Sequence, residues 1–388
     1  MQLGLDSFQR VIQYFWDPEP KNTEHTQTIW CLGCEYPPVK RLPIQEGEKT
    51  EEEEIPWPPE FLDDFESRIW MTYRSEFPPI PRTTGPENTS AMTKFRAQLS
   101  SDGFTSDVGW GCMIRSAQAV LANALAELRF GREWRTGQRQ EEEKALLSLF
   151  ADDPRAPFSI HNFVRHGELA CGKHPGEWFG PSAAAHCIQT LAAQYKESGL
   201  RVYYNAEGSD VYEDAFRKVA VEDGVFHPTL VLVGSRLGIE RVTPVYWEAL
   251  KACLQMPHSL GVAGGRPSSS HYFVGVQGDY LFYLDPHQTR IMLPHVSDPN
   301  DLSPEHLASC HTRRLRRLHM KEMDPSMLLA FLIHDQDDWE EWKTSVEEVQ
   351  GKPIVHVLPH SPPSGGRPVR EEAVEEVESL DEDEDELC

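Results

Sequence analysis

No apolar run in the 388 residues approaches the ~20 that a bilayer-spanning helix needs; the longest lies near Met327–Ile333. Basic charge is also scarce. Lys and Arg number 37 against 62 Asp and Glu, a net −25, so the clustered cationic face that nucleic-acid phosphates require is not expected, and neither is a nucleic-acid partner. The acid is uneven. Residues 371–388 hold eleven acids and no base, residues 46–54 hold six acids against Lys49, and removing both runs leaves −9 for the rest. Cysteines are few, at 31, 34, 112, 171, 187, 253, 310 and 388, with irregular spacing. Met1–Tyr14 lacks a basic opening and a continuous apolar stretch, so it does not read as a secretory signal. Reduced thiols in the cytosol are expected rather than a disulfide framework.

What is present is an ordinary globular composition, 39% hydrophobic and 26% charged, with length for one large domain or a large domain and a small lobe. Leu5, Phe8, Ile12, Phe15 and Trp16 recur at helical spacing, so residues 3–16 read as an amphipathic helix ended by Asp17-Pro18, within an N-terminal amphipathic segment over 1–28. A strand is expected around Thr28–Leu32, an acidic loop over 45–60, helical periodicity over Phe61–Tyr73 and an irregular segment over 81–105. Helices are expected at 141–151, Ser182–Tyr195, 210–220, Tyr246–Leu254 and Met327–Val346, with irregular chain before Pro181. Strands are expected at Arg201–Tyr204 and Thr229–Gly234. Tyr272–Val276 and Tyr280–Leu284, split by Gln277-Gly278-Asp279, read as a hairpin. Helices followed by hairpins predict an α+β fold. The organisation read is a domain over 29–345 and a C-terminal extension over 346–388, an acidic and disordered tail from about 360.

The most informative stretch is Ser106-Asp107-Val108-Gly109-Trp110-Gly111-Cys112-Met113-Ile114-Arg115. From Cys112 an apolar stripe at i, i+3/i+4 spacing runs to Leu128 and predicts a buried helix with a cysteine on its first turn. Free N–H groups and the positive end of the helix dipole there favour a thiolate. Gly109 and Gly111 leave the backbone beside the sulfur bare for a substrate chain. A thiolate nucleophile needs an imidazole, and the imidazole an acceptor. In Asp285-Pro286-His287, an extended backbone would set both side chains on one face; taken alone, Asp-Pro also reads as a turn. His271 is a rival base, and His287 is preferred for its adjacent acid. Gly261-Val262-Ala263-Gly264-Gly265-Arg266-Pro267 fails as a phosphate cradle, having no Gly-Lys-Ser/Thr ending, and reads as a mobile loop over a cleft. Cys31-x-x-Cys34 lacks the second ligand pair of a zinc site. No metal and no cofactor is expected.

Taken together, Gly109–Arg115 and Asp285-Pro286-His287 resemble the autophagy-related cysteine peptidases that process a ubiquitin-like autophagy modifier. Ile29–Gly33, Trp70–Arg74 with Phe77-Pro78, Gly176-Glu177-Trp178-Phe179-Gly180-Pro181, the 261–267 segment, Ser270–Gly275 and Asp324–Met327 also match. The resemblance implies a papain-like fold with a small helical lobe and flexible termini, with Cys112 as nucleophile, His287 as base and Asp285 as orienting acid. It further implies that Tyr73 serves the oxyanion site, since no Gln stands at the papain position upstream of the cysteine. Trp178 and the loop with Gly264, Gly265 and Pro267 would cover the cleft. The implied activity is cleavage of the modifier precursor after its C-terminal glycine and release of the modifier from phosphatidylethanolamine, by a cytoplasmic monomer that visits autophagosomal membranes, with the nucleus as a second location. A deubiquitinase-like hydrolase and an idle modifier-binding adaptor are the alternatives. The tail departs from the family's aromatic-x-x-aliphatic docking motif: residues 371–388 contain no aromatic, and Val374–Leu380 is a degenerate version.

Overall fold

The computed structural model describes residues 19–39, 55–82, 103–266 and 269–362. The expected helix at 3–16, the acidic loop up to residue 54, Pro267 and the tail from 363 lie outside them. Strands β1 (Ile29–Cys31) and β2 (Cys34–Tyr36) precede helix α1 (Pro59–Ser67), strands β3 (Arg74–Ile80) and β4 (Phe104–Ser106), and the long helix α2 (Cys112–Phe130). Helices α3 (Gln140–Ser148), α4 (Ile160–Ala170) and α5 (Pro181–Gln194) follow, then β5 (Arg201–Tyr204), β6 (Asp210–Tyr212), α6 (Glu213–Ala220), β7 (Val221–Glu222), β8 (Val225–Phe226) and β9 (Thr229–Arg236). Helix α7 (Trp247–Gln255) leads to β10 (Ser259–Arg266), β11 (Ser269–Gln277), β12 (Tyr280–Leu284) and β13 (Arg290–Ile291). Helix α8 (Pro304–Ala308), β14 (Arg317–His319), β15 (Ser326–Ile333), α9 (Gln336–Glu347) and β16 (His356–Leu358) complete it.

The main sheet runs β14-β12-β11-β10-β15-β9-β5, with β1 on β11 and β2 on β1. Alternation along its strands divides the core in two. Leu230, Leu232, Leu328, Ala330, Ala263 and Val274 pack with Ile114, Ala117 and Leu121 of α2 and Ile188 of α5. Their neighbours Val231, Val233, Leu329, Phe331 and Phe273 face the other way, onto Phe216, Leu250, Trp339 and Trp342 of α6, α7 and α9. Helices thus cover both faces, an α+β architecture of papain-like type.

Five expectations change. The helix expected over Phe61–Tyr73 is α1, which ends at Ser67 with Arg68 already extended. Met327–Ile333 is strand β15, not the start of a helix, and the helix begins at Gln336; a strand buried on both faces is continuously apolar and has no alternation to show. Residues 261–266 are not a loop but most of β10, paired antiparallel with β11 and β15. Gly261 sits at its bulge with φ +82°, where a Cβ would lie 2.3 Å from the Phe273 carbonyl oxygen, so the glycine serves a kink in a strand. The chain before Pro181 contains α4, capped by the Ser159 hydroxyl. Residues 210–220 divide into β6 and α6. The packed body also continues past residue 345: β16 pairs in parallel with β6, and Ile354 and Val355 are buried.

Candidate active site

Helix α2 begins where the chain tightens into a turn. The N–H groups of Trp110 and Gly111 donate to the Asp107 carbonyl at 3.2 and 2.9 Å. A Cβ on Gly111 would stand 2.3 Å from Asp107 Oδ2, so only glycine fits beneath that carboxylate. Asp107 is fully buried and accepts from the Arg74 backbone N–H (2.7 Å) and from Arg115 Nε (2.8 Å). Arg115 also reaches Asp152 (2.7 Å), whose other oxygen accepts from the Leu293 N–H. Flanked by two carboxylates, Arg115 stays charged, its pKa pushed further up despite burial. This buried network ties the first turns of α2 to β3 and to the chain after β13.

The opposite wall comes from the sheet. Antiparallel pairing of Tyr272 with Leu284 sets the start of β11 and the end of β12 at one edge, so Ser269–His271 and Asp285–His287 arrive together. Beyond Leu284 the chain turns instead of staying extended: Asp285 Oδ1 accepts from the His287 backbone N–H at 3.0 Å and lies 2.6 Å from His287 Nδ1. One carboxylate therefore fixes both backbone and ring, and with Asp285 ionised Nδ1 carries the proton. Trp70 Nε1 holds the Asp285 carbonyl at 2.7 Å, and the Tyr73 N–H holds the Pro286 carbonyl at 2.8 Å. His271 Nε2 is 3.7 Å from the same Asp285 oxygen, and its ring lies against Tyr283, 4.4 Å between centroids.

Cys112 and His287 lie close enough to shift one another's protonation, and the Ser269 hydroxyl stands 3.4 Å from His287 Nε2. Burial pushes the Cys112 thiol up, but hydrogen bonds from His287, the Ser270 backbone N–H and the Tyr73 hydroxyl, with the imidazolium charge, bring it below the ordinary thiol value. Burial likewise lowers His287, and Asp285 and the Cys112 sulfur more than offset it, raising the imidazole to about 9. Asp285 falls below its usual value, since bonding to His287 and the charges of both histidines outweigh its burial. The arrangement favours a thiolate beside an imidazolium. Tyr73 packs edge-on to His287, 5.3 Å between centroids.

The other expected residues divide. Gly264 and Gly265 pair with His271 and Ser270, so they flank the site as part of β10 and not as a lid. Trp178 lies in the connection between α4 and α5 and is 38% exposed. Asp107, Arg115, Trp70 and Ser270 all fall inside motifs quoted from the sequence, yet none carries a role there; the opposite charges of Asp107 and Arg115 on either side of Gly-Trp-Gly-Cys are the physical signal of theirs.

The family described as the peptidase C54 catalytic domain matches residues 58–345. A probable cysteine protease atg4 of Botryotinia fuckeliana is 53% identical over 98% of each chain. One of Aspergillus niger is 53% identical over 96% of this chain and 97% of its own, and the cysteine protease atg4 of Emericella nidulans is 54% identical over 96% of each. With a family match over most of its length and relatives of this similarity end to end, the chain belongs to the peptidase C54 family of cysteine proteases.

Proposed function

We propose that this cysteine protease cleaves the precursor of a ubiquitin-like autophagy modifier after its C-terminal glycine, and later hydrolyses the amide joining that glycine to phosphatidylethanolamine. The observation that carries the reading is the meeting of Cys112, at the start of α2, with His287 and Asp285 at the sheet edge. In the proposed cycle the Cys112 thiolate attacks the glycine carbonyl carbon. Charge on the resulting oxyanion is met by the Cys112 N–H and the Tyr73 hydroxyl. His287 gives its proton to the departing amine as the C–N bond breaks, leaving a thioester on Cys112. It then takes a proton from water, which attacks the thioester, and the modifier leaves with a free glycine carboxylate while the thiol is regenerated. Asp285 keeps the imidazole oriented throughout. Peptide and lipid-headgroup amides pass through the same two steps, so one site serves both substrates.

The lipid-linked substrate requires contact with membrane surfaces. Among the described residues no helix is long and apolar enough to cross one, which suits a transient visit. In this reading the enzyme is a cytoplasmic monomer that meets autophagosomal membranes.

The test places the enzyme with three substrates side by side: modifier precursor, modifier linked to phosphatidylethanolamine in vesicles, and a ubiquitin fusion. The reading expects the first two to give a product whose mass ends at the glycine, with the ubiquitin fusion left intact. Cleavage of ubiquitin alone would support a deubiquitinase, and binding of modifier without turnover an adaptor.

A further inference from the structure

A second cluster of ligating side chains lies away from the cysteine–histidine pair. It consists of His166 on α4, Cys171 at the C-cap of that helix, and His186 on α5, all half-buried. Their ligand atoms all lie within 4.8 Å of one another. His166 Nε2 is 2.7 Å from His186 Nδ1, with the rings near-parallel at 13° and 5.0 Å between centroids. The Cys171 sulfur reaches across to α5, 4.0 Å from the Ala183 carbonyl oxygen. The two helices are fixed to one another behind the cluster. The Phe179 ring lies against Gly167, where a Cβ would meet it at 2.2 Å, and the Cys187 sulfur bonds the Phe163 carbonyl at 3.5 Å.

Zinc bound tetrahedrally, with Zn–N about 2.05 Å and Zn–S about 2.3 Å, separates two nitrogen ligands by roughly 3.3 Å and nitrogen from sulfur by roughly 3.6 Å. In the metal-free arrangement the two nitrogens face each other along the line of ring centroids; to admit the ion the imidazoles part by about 0.6 Å and each turns by roughly 35° so that both lone pairs converge, a side-chain rotation open to half-exposed rings. Two imidazoles and a thiol, with no carboxylate, form a set for a borderline-soft ion and not for magnesium or calcium.

We propose that His166, Cys171 and His186 form a zinc(II) site, with water in the fourth position, that ties together the two ends of the 171–180 connection carrying Trp178. Binding is balanced simply. The Cys171 thiol gives one proton to solvent, whichever ring carries the proton of the His166–His186 hydrogen bond moves it to its other nitrogen so that both facing nitrogens are free, and no electrons are exchanged. The site is independent of the catalytic thiol and stands whether or not the proposed substrate is correct.

Cobalt(II) is the probe, added to the full chain after chelator treatment. One equivalent should produce a thiolate-to-cobalt charge-transfer band with the visible bands of a tetrahedral ion, and zinc should abolish both. Cys171→Ala should remove the charge-transfer band, and His186→Asn should weaken binding at least tenfold, while Cys112→Ser keeps the full signal. Zinc should raise the melting temperature of wild type and of Cys112→Ser but not of Cys171→Ala. A metal-free melt of Cys171→Ala matching that of wild type would establish that its loss of signal is not misfolding; should that variant be unstable, Cys171→Ser replaces it in the same comparison. The proposal is overturned if wild type gives no charge-transfer band, or if the band disappears with Cys112→Ser and survives in the Cys171 variants, which would place the ion on the catalytic thiol.

Discussion

His287 presents Nδ1 to Asp285 Oδ1 at 2.6 Å, while His271, on the neighbouring strand, comes no nearer to that oxygen than 3.7 Å. The shorter contact belongs to the imidazole that also reaches the Cys112 sulfur. His271 instead lies over the Tyr283 ring. The account therefore assigns proton transfer to His287 and a charge-balancing place beside Asp285 to His271. His287→Ala should lower kcat/KM by at least 10³-fold, the loss expected when a triad member is removed. His271→Ala should cost far less, and assays on precursor at saturating and limiting concentrations would rank the two. The reverse order would transfer the base role to His271.

The pH profile follows from the same charges. An active thiolate–imidazolium pair needs Cys112 deprotonated and His287 protonated, so kcat/KM should be bell-shaped, with an acid limb below the ordinary thiol range and an alkaline limb near 9. Asp285 raises His287; Asp285→Asn should move the alkaline limb to lower pH as well as reducing the maximum. An unmoved alkaline limb in that variant would mean that another group titrates there.

Helix α2 depends on a buried ion network to present Cys112. Removing Arg115 leaves Asp107 and Asp152 buried without their cation, so Arg115→Met should destabilise the fold by about 3–5 kcal/mol. Gly111→Ala drives a methyl onto Asp107 Oδ2 and should impair activity more than stability, because the displaced turn is the one that aims the thiolate. Denaturant melts read beside turnover would separate the two effects. An Arg115→Met protein of wild-type stability would remove the network from the account.

The resemblance puts Trp178 over the cleft, and its 38% exposure makes it a poor source of stability. Trp178→Ala should therefore lower kcat/KM on precursor at least tenfold with little change in melting temperature, and wild type should refuse a precursor whose terminal glycine is changed to alanine. Loss of stability in parallel with activity would make Trp178 a packing residue; efficient cleavage after alanine would dismiss a steric slot.

Much of the candidate site is legible in residue types and spacing, because the proposed nucleophile and base sit in short segments whose local geometry is set by near neighbours. The Gly-Trp-Gly-Cys entry to a helix and the Asp-x-His pair needed little from elsewhere in the chain. The Asp285–His287 contact was anticipated across an extended backbone and is made through a turn, since the carboxylate bonds the backbone N–H two residues on. What stayed hidden depends on distant partners. The glycines of β10 look like loop punctuation until the closeness of neighbouring strands is seen, where Gly264 has Met327 Cβ within 3.1 Å of a would-be methyl. Gly167 similarly disguised α4, though it is there to make room for the Phe179 ring. For β15, burial on both faces erased the period that distinguishes strand from helix.

The central claim is that Cys112 is the nucleophile on a modifier's terminal glycine. It is tested most directly by incubating the protein with that modifier carrying a thiol-reactive group in place of the scissile bond, and locating the adduct by peptide mass spectrometry. The account predicts a single adduct on Cys112, lost in Cys112→Ala, strongly slowed in His287→Ala, and not formed with the matching ubiquitin reagent. An adduct on another cysteine, or labelling of Cys112 at an undiminished rate without His287, would contradict it.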